Sequence, residues 1–411
     1  MDKKYNKLKY ACYSSGLCMA VTANLSPLLF ITLRSVYGIS YSLLGLLIVI
    51  NFFTQLAVDL FFSFFSHRLN IPRLIKAMPV ITFTGLLLYA LSPVVFPDSV
   101  YTGLVIATVI FSLSNGLAEV LTSPIIAAIP SDNPDREVSK LHSVFAWGSV
   151  FVVIFSTVFI KLAGNENWQY LAAIFLIIPA VSAILYFPSE IPNIQSEKKE
   201  PFSLEIFRNG KLWLCVFAIF LGGAAECTMS QWCSGYLENA IGVSKVTGDI
   251  FGVALFSLML GLGRTLYTHK GKNITTVLFL GSIGATVCYA LCAVSDIPAV
   301  GLIACAVTGL FVSMLWPGTL IAAADFFPKG GVFIYAILAA GGDLGASVGP
   351  QAVGVITDLV MQNEGLLSLA QSIGISMEQL GMKAAMLFGA LFPLVASAVY
   401  FYIKKSRKAV K

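Results

Sequence analysis

Residues 101–129 read YTGLVIATVIFSLSNGLAEVLTSPIIAAI, and this run decides the class of fold. It contains one ionisable side chain within its apolar body, Glu119. About 20 apolar residues in a helix, at about 1.5 Å each, cross the hydrocarbon of a bilayer, and this run exceeds that length. Residues 151–160 and 171–187 carry no charge at all. Over 411 residues the chain is 57% hydrophobic and 11% charged, with a mean hydropathy of +0.84. A soluble domain carries about 25% charged residues. A chain this poor in charge cannot cover a water-facing surface, so lipid is the solvent for most of its exterior. The chain is an all-α membrane protein.

Working outward from this run, twelve spans are predicted near 10–33, 41–65, 74–95, 101–129, 141–162, 168–187, 211–236, 247–268, 273–294, 298–325, 331–360 and 382–403. Lys and Arg placement sets the orientation. With both tails in the cytoplasm, only Arg34, Lys161, Lys245 and Lys383 of the 26 basic residues fall on the opposite side. The location expected is an inner (plasma) membrane, crossed many times, with both termini cytoplasmic. The basic start lacks a small-residue cleavage site, so no removable signal peptide is expected. The charged stretch 188–210 divides six spans from six, giving an N-terminal bundle (1–187), a cytoplasmic linker with a short amphipathic piece at 201–208, and a C-terminal bundle (211–411). Two six-helix halves that both enter from the cytoplasm form a parallel repeat, the architecture of the major facilitator fold, with inverted three-helix units inside each half. Basic clusters at corresponding places in the halves, His67-Arg68 and Arg264 with His269-Lys270, agree with the repeat. A surface helix is predicted at 376–381.

Ionisable groups inside the membrane are expensive and point to function. Glu119 lies near the midplane of the fourth span, with Asn115 one turn away on the same face. Its functional reading is a proton-coupling acid or a solute contact; the alternative is a permanently paired structural glutamate. Asn51, Gln55, Asp59 and Ser63 recur every four residues along the second span, a stripe suited to gating or contact between the halves. Glu226 sits above Ser230 and Ser234 in the seventh span, beside Gln231 and Trp232. An indole near polar groups suits stacking on a flat ligand, and equally an interfacial anchor. Trp147 and Trp316-Pro317 carry the same ambiguity. In the eleventh span, Gly341-Gly342-Asp343 to Gly349-Pro350 reads as a site or gate set among packing glycines. Asn24 and Pro27 are placed to interrupt the first helix.

The chemistry absent from the sequence narrows the function. Eight cysteines lie almost wholly in apolar segments, and with three histidines no metal-ligand spacing appears. The cysteines read as small buried hydrophobes. Without a Walker motif, ATP-driven pumping has no support. No cofactor, metal or nucleic-acid partner is expected, and no enzyme nucleophile is visible.

The fourth and fifth spans resemble the fucose–galactose–glucose proton symporters, the fucose permease group of the major facilitator superfamily. That group carries a Leu-Glu-x-x-x-Asn-Pro-type segment followed by a Leu-x-x-x-x-x-Phe-x-x-Gly-type helix. Here the text is Glu119-Val-Leu-Thr-Ser123-Pro124, then Leu141-His142-Ser-Val-Phe145-Ala-Trp147-Gly148. The resemblance implies proton coupling at Glu119. Ser123 stands where the group often has asparagine, and the first-span stretch Asn24-Leu-Ser-Pro27 has no acid where fucose permease has one. The expected function is proton-coupled symport of a sugar or similar hydroxylated solute by a monomer that rocks two halves around a cavity. Glu119 would bind the proton. Asn24, Asn115, Glu226, Gln231 and Trp232 would contact the solute, and Asn51, Gln55, Asp59 and Asp343 would gate. Proton-driven efflux of drugs or metabolites is the alternative, with a membrane sensor or enzyme ranked below it.

Overall fold

The computed structural model describes residues 5–65, 69–130, 134–192, 207–270, 273–324, 326–327 and 331–410. His67-Arg68 and residues 201–206 of the amphipathic linker piece lie outside the described residues, as do the side chains of Ser63, His142, His269 and Lys270.

Helices, and no strand, form among the described residues. The helices α1 (Asn6–Leu28) and α2 (Phe30–Tyr37) make a first span bent by 47°. Pro27 removes one backbone donor and crowds the preceding turn, which is the interruption expected of Asn24 and Pro27. Then follow α3 (Tyr41–Phe65), α4 (Ile71–Val95), α5 (Val100–Ala128), α6 (Pro134–Ala163), α7 (Trp168–Phe175) and α8 (Ile177–Tyr186). After the linker come α9 (Gly210–Asn239) and the short α10 (Lys245–Thr247), which runs through a π turn (Gly248–Ala254) into α11 (Leu255–Lys270). The last elements are α12 (Ile274–Val294), α13 (Pro298–Val312), α14 (Leu315–Ala324), α15 (Gly331–Met361), α16 (Leu367–Ile373), α17 (Met377–Gly389) and α18 (Leu391–Val410).

Ten helical runs among the described residues are long and apolar enough to cross a bilayer, and the bent α1–α2 pair makes an eleventh. Trp147–Ala163 within α6 is a shorter apolar helix. The architecture is that of the twelve-span, all-α fold. One expectation is corrected. Residues 376–381 form no separate surface helix, because Ser376 caps α17 in a reciprocal box with Gln379 and so opens the last span. The helix belonging to that loop is α16.

Packing groups Met1–Thr32 with Phe53–Phe202, and Leu33–Phe52 with Ser203–Lys411. In the first unit α1 lies against α6 and α8, and α4 against α5. Small residues set the approach. A Cβ on Gly148 would stand 2.9 Å from Leu17 Cδ2, and one on Gly85 would stand 2.7 Å from the Phe111 nitrogen. Buried hydroxyls find partners inside the unit: Thr82 donates to Ser114 Oγ at 2.8 Å, Ser114 donates to the Met78 carbonyl at 2.8 Å, and Ser15 bonds Tyr186 at 2.8 Å. At the start of α6, Glu137 accepts from Lys140 Nζ at 2.7 Å and from Tyr13 Oη at 3.2 Å, and pairs with Lys9. The hydrogen bonds from Lys140 and then Lys9 hold its carboxyl down to about 2.

In the second unit, the glycine face of α15 closes on α9. A side chain at Gly345 would collide with the Phe220 carbonyl, and one at Gly349 would stand 2.7 Å from the Ala224 carbonyl. Buried tyrosines tie neighbouring helices to backbone: Tyr289 donates to the Ala225 carbonyl at 2.7 Å, and Tyr400 donates to that of Ala218 at 3.1 Å.

Leu33–Phe52 joins this second unit, which differs from a division at the linker, and the reason is local. The first turn of α3 leaves backbone N–H groups without intrahelical partners. Asp358 of α15 accepts from Ser42 N at 2.7 Å, Ser42 Oγ at 2.6 Å and Tyr41 N at 3.3 Å. Arg34 lies 4.1 Å over the Tyr41 ring and 3.6 Å from Glu378 Oε1, while Tyr41 Oη donates to the same glutamate.

Two tests follow from this packing. Gly345→Ala should destabilise by about 1–3 kcal/mol, the usual range for overpacking. Gly261→Ala, inside α11 where an added Cβ meets nothing within 4 Å, should hold or slightly raise the melting temperature in detergent, because alanine favours a helix interior over glycine. The Glu137 clasp has a defined pH signature, because its folded value of about 2 lies below the ordinary 4.5. Its stabilisation is therefore complete above pH 4.5 and is lost as pH falls toward 2. The melting-temperature gap between wild type and Glu137→Gln should hold from pH 7 to 5 and close below that; a gap that closes between pH 7 and 5 contradicts the clasp.

Candidate functional site

The polar residues singled out by sequence fall into two groups, one in each unit. In the first unit the decisive residue is Gly116. A Cβ there would stand 2.8 Å from Val58 Cβ and 3.2 Å from Gln55 Cα. The missing side chain lets α5 settle onto α3 at that level. It brings Asp59, one residue past Val58, within electrostatic reach of Glu119, three residues past Gly116. The two carboxyls differ in access: Asp59 is buried and Glu119 is exposed. Gln55 is buried beside them.

Asn115 exchanges hydrogen bonds with Thr22, accepting at 3.1 Å and donating at 2.9 Å. It is buried and pins α5 to α1 one turn from Glu119. Asn24 donates to the Ala20 carbonyl at 2.8 Å and to Ser149 Oγ at 3.1 Å, linking α1 to α6. Asn24 is half-buried. Trp147, in the same unit, is largely exposed.

In the second unit the arrangement begins with a proline. Pro317 has no N–H, so the Ser313 carbonyl, four residues earlier, loses its helical donor. The span breaks there between α13 and α14. Arg264 of α11 fills the vacancy, with Nε donating to that carbonyl at 3.1 Å. The same guanidinium reaches Glu226 of α9, with Nη2 at 3.1 Å from Oε1 and 3.4 Å from Oε2. Cys227 lies within electrostatic reach of Glu226, Asp343 and Arg264 together. Asp343 itself is 4% exposed. Trp316, next to the proline, packs its ring on the space left by Gly223 and Gly342.

Trp232 is buried, with its indole N–H donating to the Pro350 carbonyl at 2.8 Å and its ring 5.8 Å from that of Tyr41. In this structure it presents no open face for stacking. Gln231 is half-buried, and Asn51 is buried. Ser234 donates to Asp249, which is fully buried at the π turn and paired with Lys245 at 3.3 Å.

Sequence reasoning missed the role of Arg264. It counts as a cytoplasmic cation by position, yet its side chain runs back along α11 to a glutamate well inside the membrane. The signal was Pro317, which frees a carbonyl that only a long donor from another helix can reach. Among the described residues, no three His, Cys, Asp or Glu side chains gather as metal ligands.

The sequence of residues 11–350 matches the model of the Major Facilitator Superfamily. No curated protein matches significantly. Among solved structures, the chain is similar to a bacterial homolog of the human lysosomal transporter Spinster in an inward-facing, occupied conformation. The TM-score is 0.76 at 13% identity, over 98% of each chain. It is also similar to a D-xylose–proton symporter, with TM-score 0.72 at 14% identity over 95% of this chain and 97% of that one. A single-residue variant of the Escherichia coli fucose:proton symporter aligns with TM-score 0.59 at 16% identity, over 98% of this chain and 99% of that one. At these identities the likeness shows the fold.

Proposed function

The chain belongs to the major facilitator superfamily, and from that premise we propose that it couples the movement of a sugar or similar small hydroxylated solute to that of protons. It is a membrane transporter and not an enzyme. Glu119 takes up and releases the proton. The observation that carries this role is the pairing of an exposed carboxyl, Glu119, with a buried one, Asp59, at a level of the apolar helices α5 and α3 fixed by Gly116. Two carboxylates held close together in a medium of low dielectric repel, and protonation of one removes the repulsion. A proton acquired from one side of the membrane is thereby traded against the conformation of α3 and α5.

Asn24 and Gln231, both half-buried, offer amide groups that bond hydroxyls in pairs. Glu226 adds an acceptor, and Asn115 and Trp232 are assigned to supporting these contacts from behind. Asn51, Gln55, Asp59 and Asp343 lie on α3 and α15 and are assigned to gating. The cycle is alternating access, with the solute exposed to each side of the membrane in turn. The excess of Lys and Arg on one side supports cytoplasmic termini. The likeness in fold to a xylose and a fucose proton symporter supports both the solute class and the proton.

The test uses purified protein in liposomes, with a panel of sugars and an imposed proton gradient. Glu119→Gln should abolish gradient-driven accumulation while leaving solute exchange intact. If the variant, at normal protein levels, still accumulates solute as the wild type does, Glu119 is not the coupling acid.

A further inference from the structure

The charge cluster of the second unit carries more than a structural pair. Glu226 lies sixteen residues past the start of α9, a helix of 30 residues, and Ser313 lies at the break between α13 and α14. Both partners therefore sit near the middle of their spans, and they draw the Arg264 guanidinium to that depth. The two side chains are not equally covered: that of Arg264 is 43% exposed, and that of Glu226 is 16%. The nearby carboxyl of Asp343 is almost closed off. The charge offered at this place is therefore positive. Lipid tails do not tolerate an open guanidinium, so its uncovered part faces water.

Resting on the transport reading above, we infer that Arg264 is a recognition site for a carboxylate carried by the solute, which makes the solute a sugar acid and not a neutral sugar. The guanidinium is planar and forked, and it matches a carboxylate in a bidentate fashion. It is also held in place before the solute arrives, by the Ser313 carbonyl on Nε and by Glu226 on Nη2. Preorganisation of this kind lowers the entropy lost on binding. Charge selects the carboxylate over a phosphate ester. A monoanion adds one negative charge beside Glu226 and Asp343, and a co-transported proton cancels that addition. A phosphoryl dianion would add two negative charges beside Glu226 and Asp343.

The experiment uses the full-length protein in liposomes under an inward proton gradient. The probes are D-glucuronate, D-galacturonate, D-glucose, D-galactose and D-glucose 6-phosphate. The wild type should accumulate at least one of the two sugar acids in preference to its neutral counterpart and to the phosphate. Arg264→Gln should raise the KM for that acid by about tenfold or more, the scale of one hydrogen bond to a charged group. Should Arg264→Gln fail to fold, the double variant Glu226→Gln/Arg264→Gln removes both charges together and should show the same loss for the acid.

Three outcomes overturn the site: accumulation of neutral sugar or of the phosphate with neither acid taken up, an acid KM indifferent to Arg264→Gln, or full acid uptake by the double variant. The first of these leaves proton-coupled transport standing. A folded protein that accumulates none of the five probes removes the acid site together with the sugar reading.

Discussion

Hydrocarbon supplies no hydrogen bonds, so each backbone group released from a helix inside the membrane must be met by another part of the protein. This chain releases such groups where it uses proline and at the first turns of helices, and polar side chains appear at those places. The Ser313 carbonyl, vacated by Pro317, receives Arg264. The first N–H groups of α3 receive Asp358. The charges in the second unit are thus attached to the backbone before they have anything to do with a solute, and their positions are inherited from helix geometry.

The two units solve the same problem differently. In the first, two acids approach each other because Gly116 has no side chain to hold α3 and α5 apart. In the second, an acid and a base are joined across three helical elements, and a proline sets the anchor point. Under the proposed function, the first arrangement responds to the gain or loss of a proton. In the second, the Arg264–Glu226 pair is neutral and holds a cationic fork in a fixed orientation. For the proposed sugar-acid solute the two have separate uses: one group that titrates and one that recognises.

Much of the fold was legible from composition and period. Long uncharged runs gave the spans, and the four-residue spacing of Asn51, Gln55 and Asp59 marked a helix face that is indeed buried. Glu119 and Asp59 could each be recognised as unusual, but their proximity could not, since it depends on which face of α5 meets α3. Arg264 was hidden because position along the chain fixes where an α-carbon lies and says little about where a guanidinium about 6–7 Å away ends up. Trp232 shows the reverse case: polar neighbours in sequence left an aromatic platform and an interfacial anchor equally open, whereas the indole N–H is spent on the Pro350 carbonyl. The grouping of Leu33–Phe52 was likewise out of reach, because it rests on Asp358 and Glu378, more than three hundred residues downstream.

The break at Pro317 places helix repair and the anchoring of Arg264 in competition. Any residue with an N–H at position 317 would let α13 and α14 fuse through the Ser313 carbonyl, and Arg264 would then have to share or surrender that acceptor. The cation would be loosened without any charged residue having changed. An imino acid thus sets how rigidly the guanidinium is aimed, and variation at that single backbone position changes its orientation while the net charge of the membrane interior stays constant.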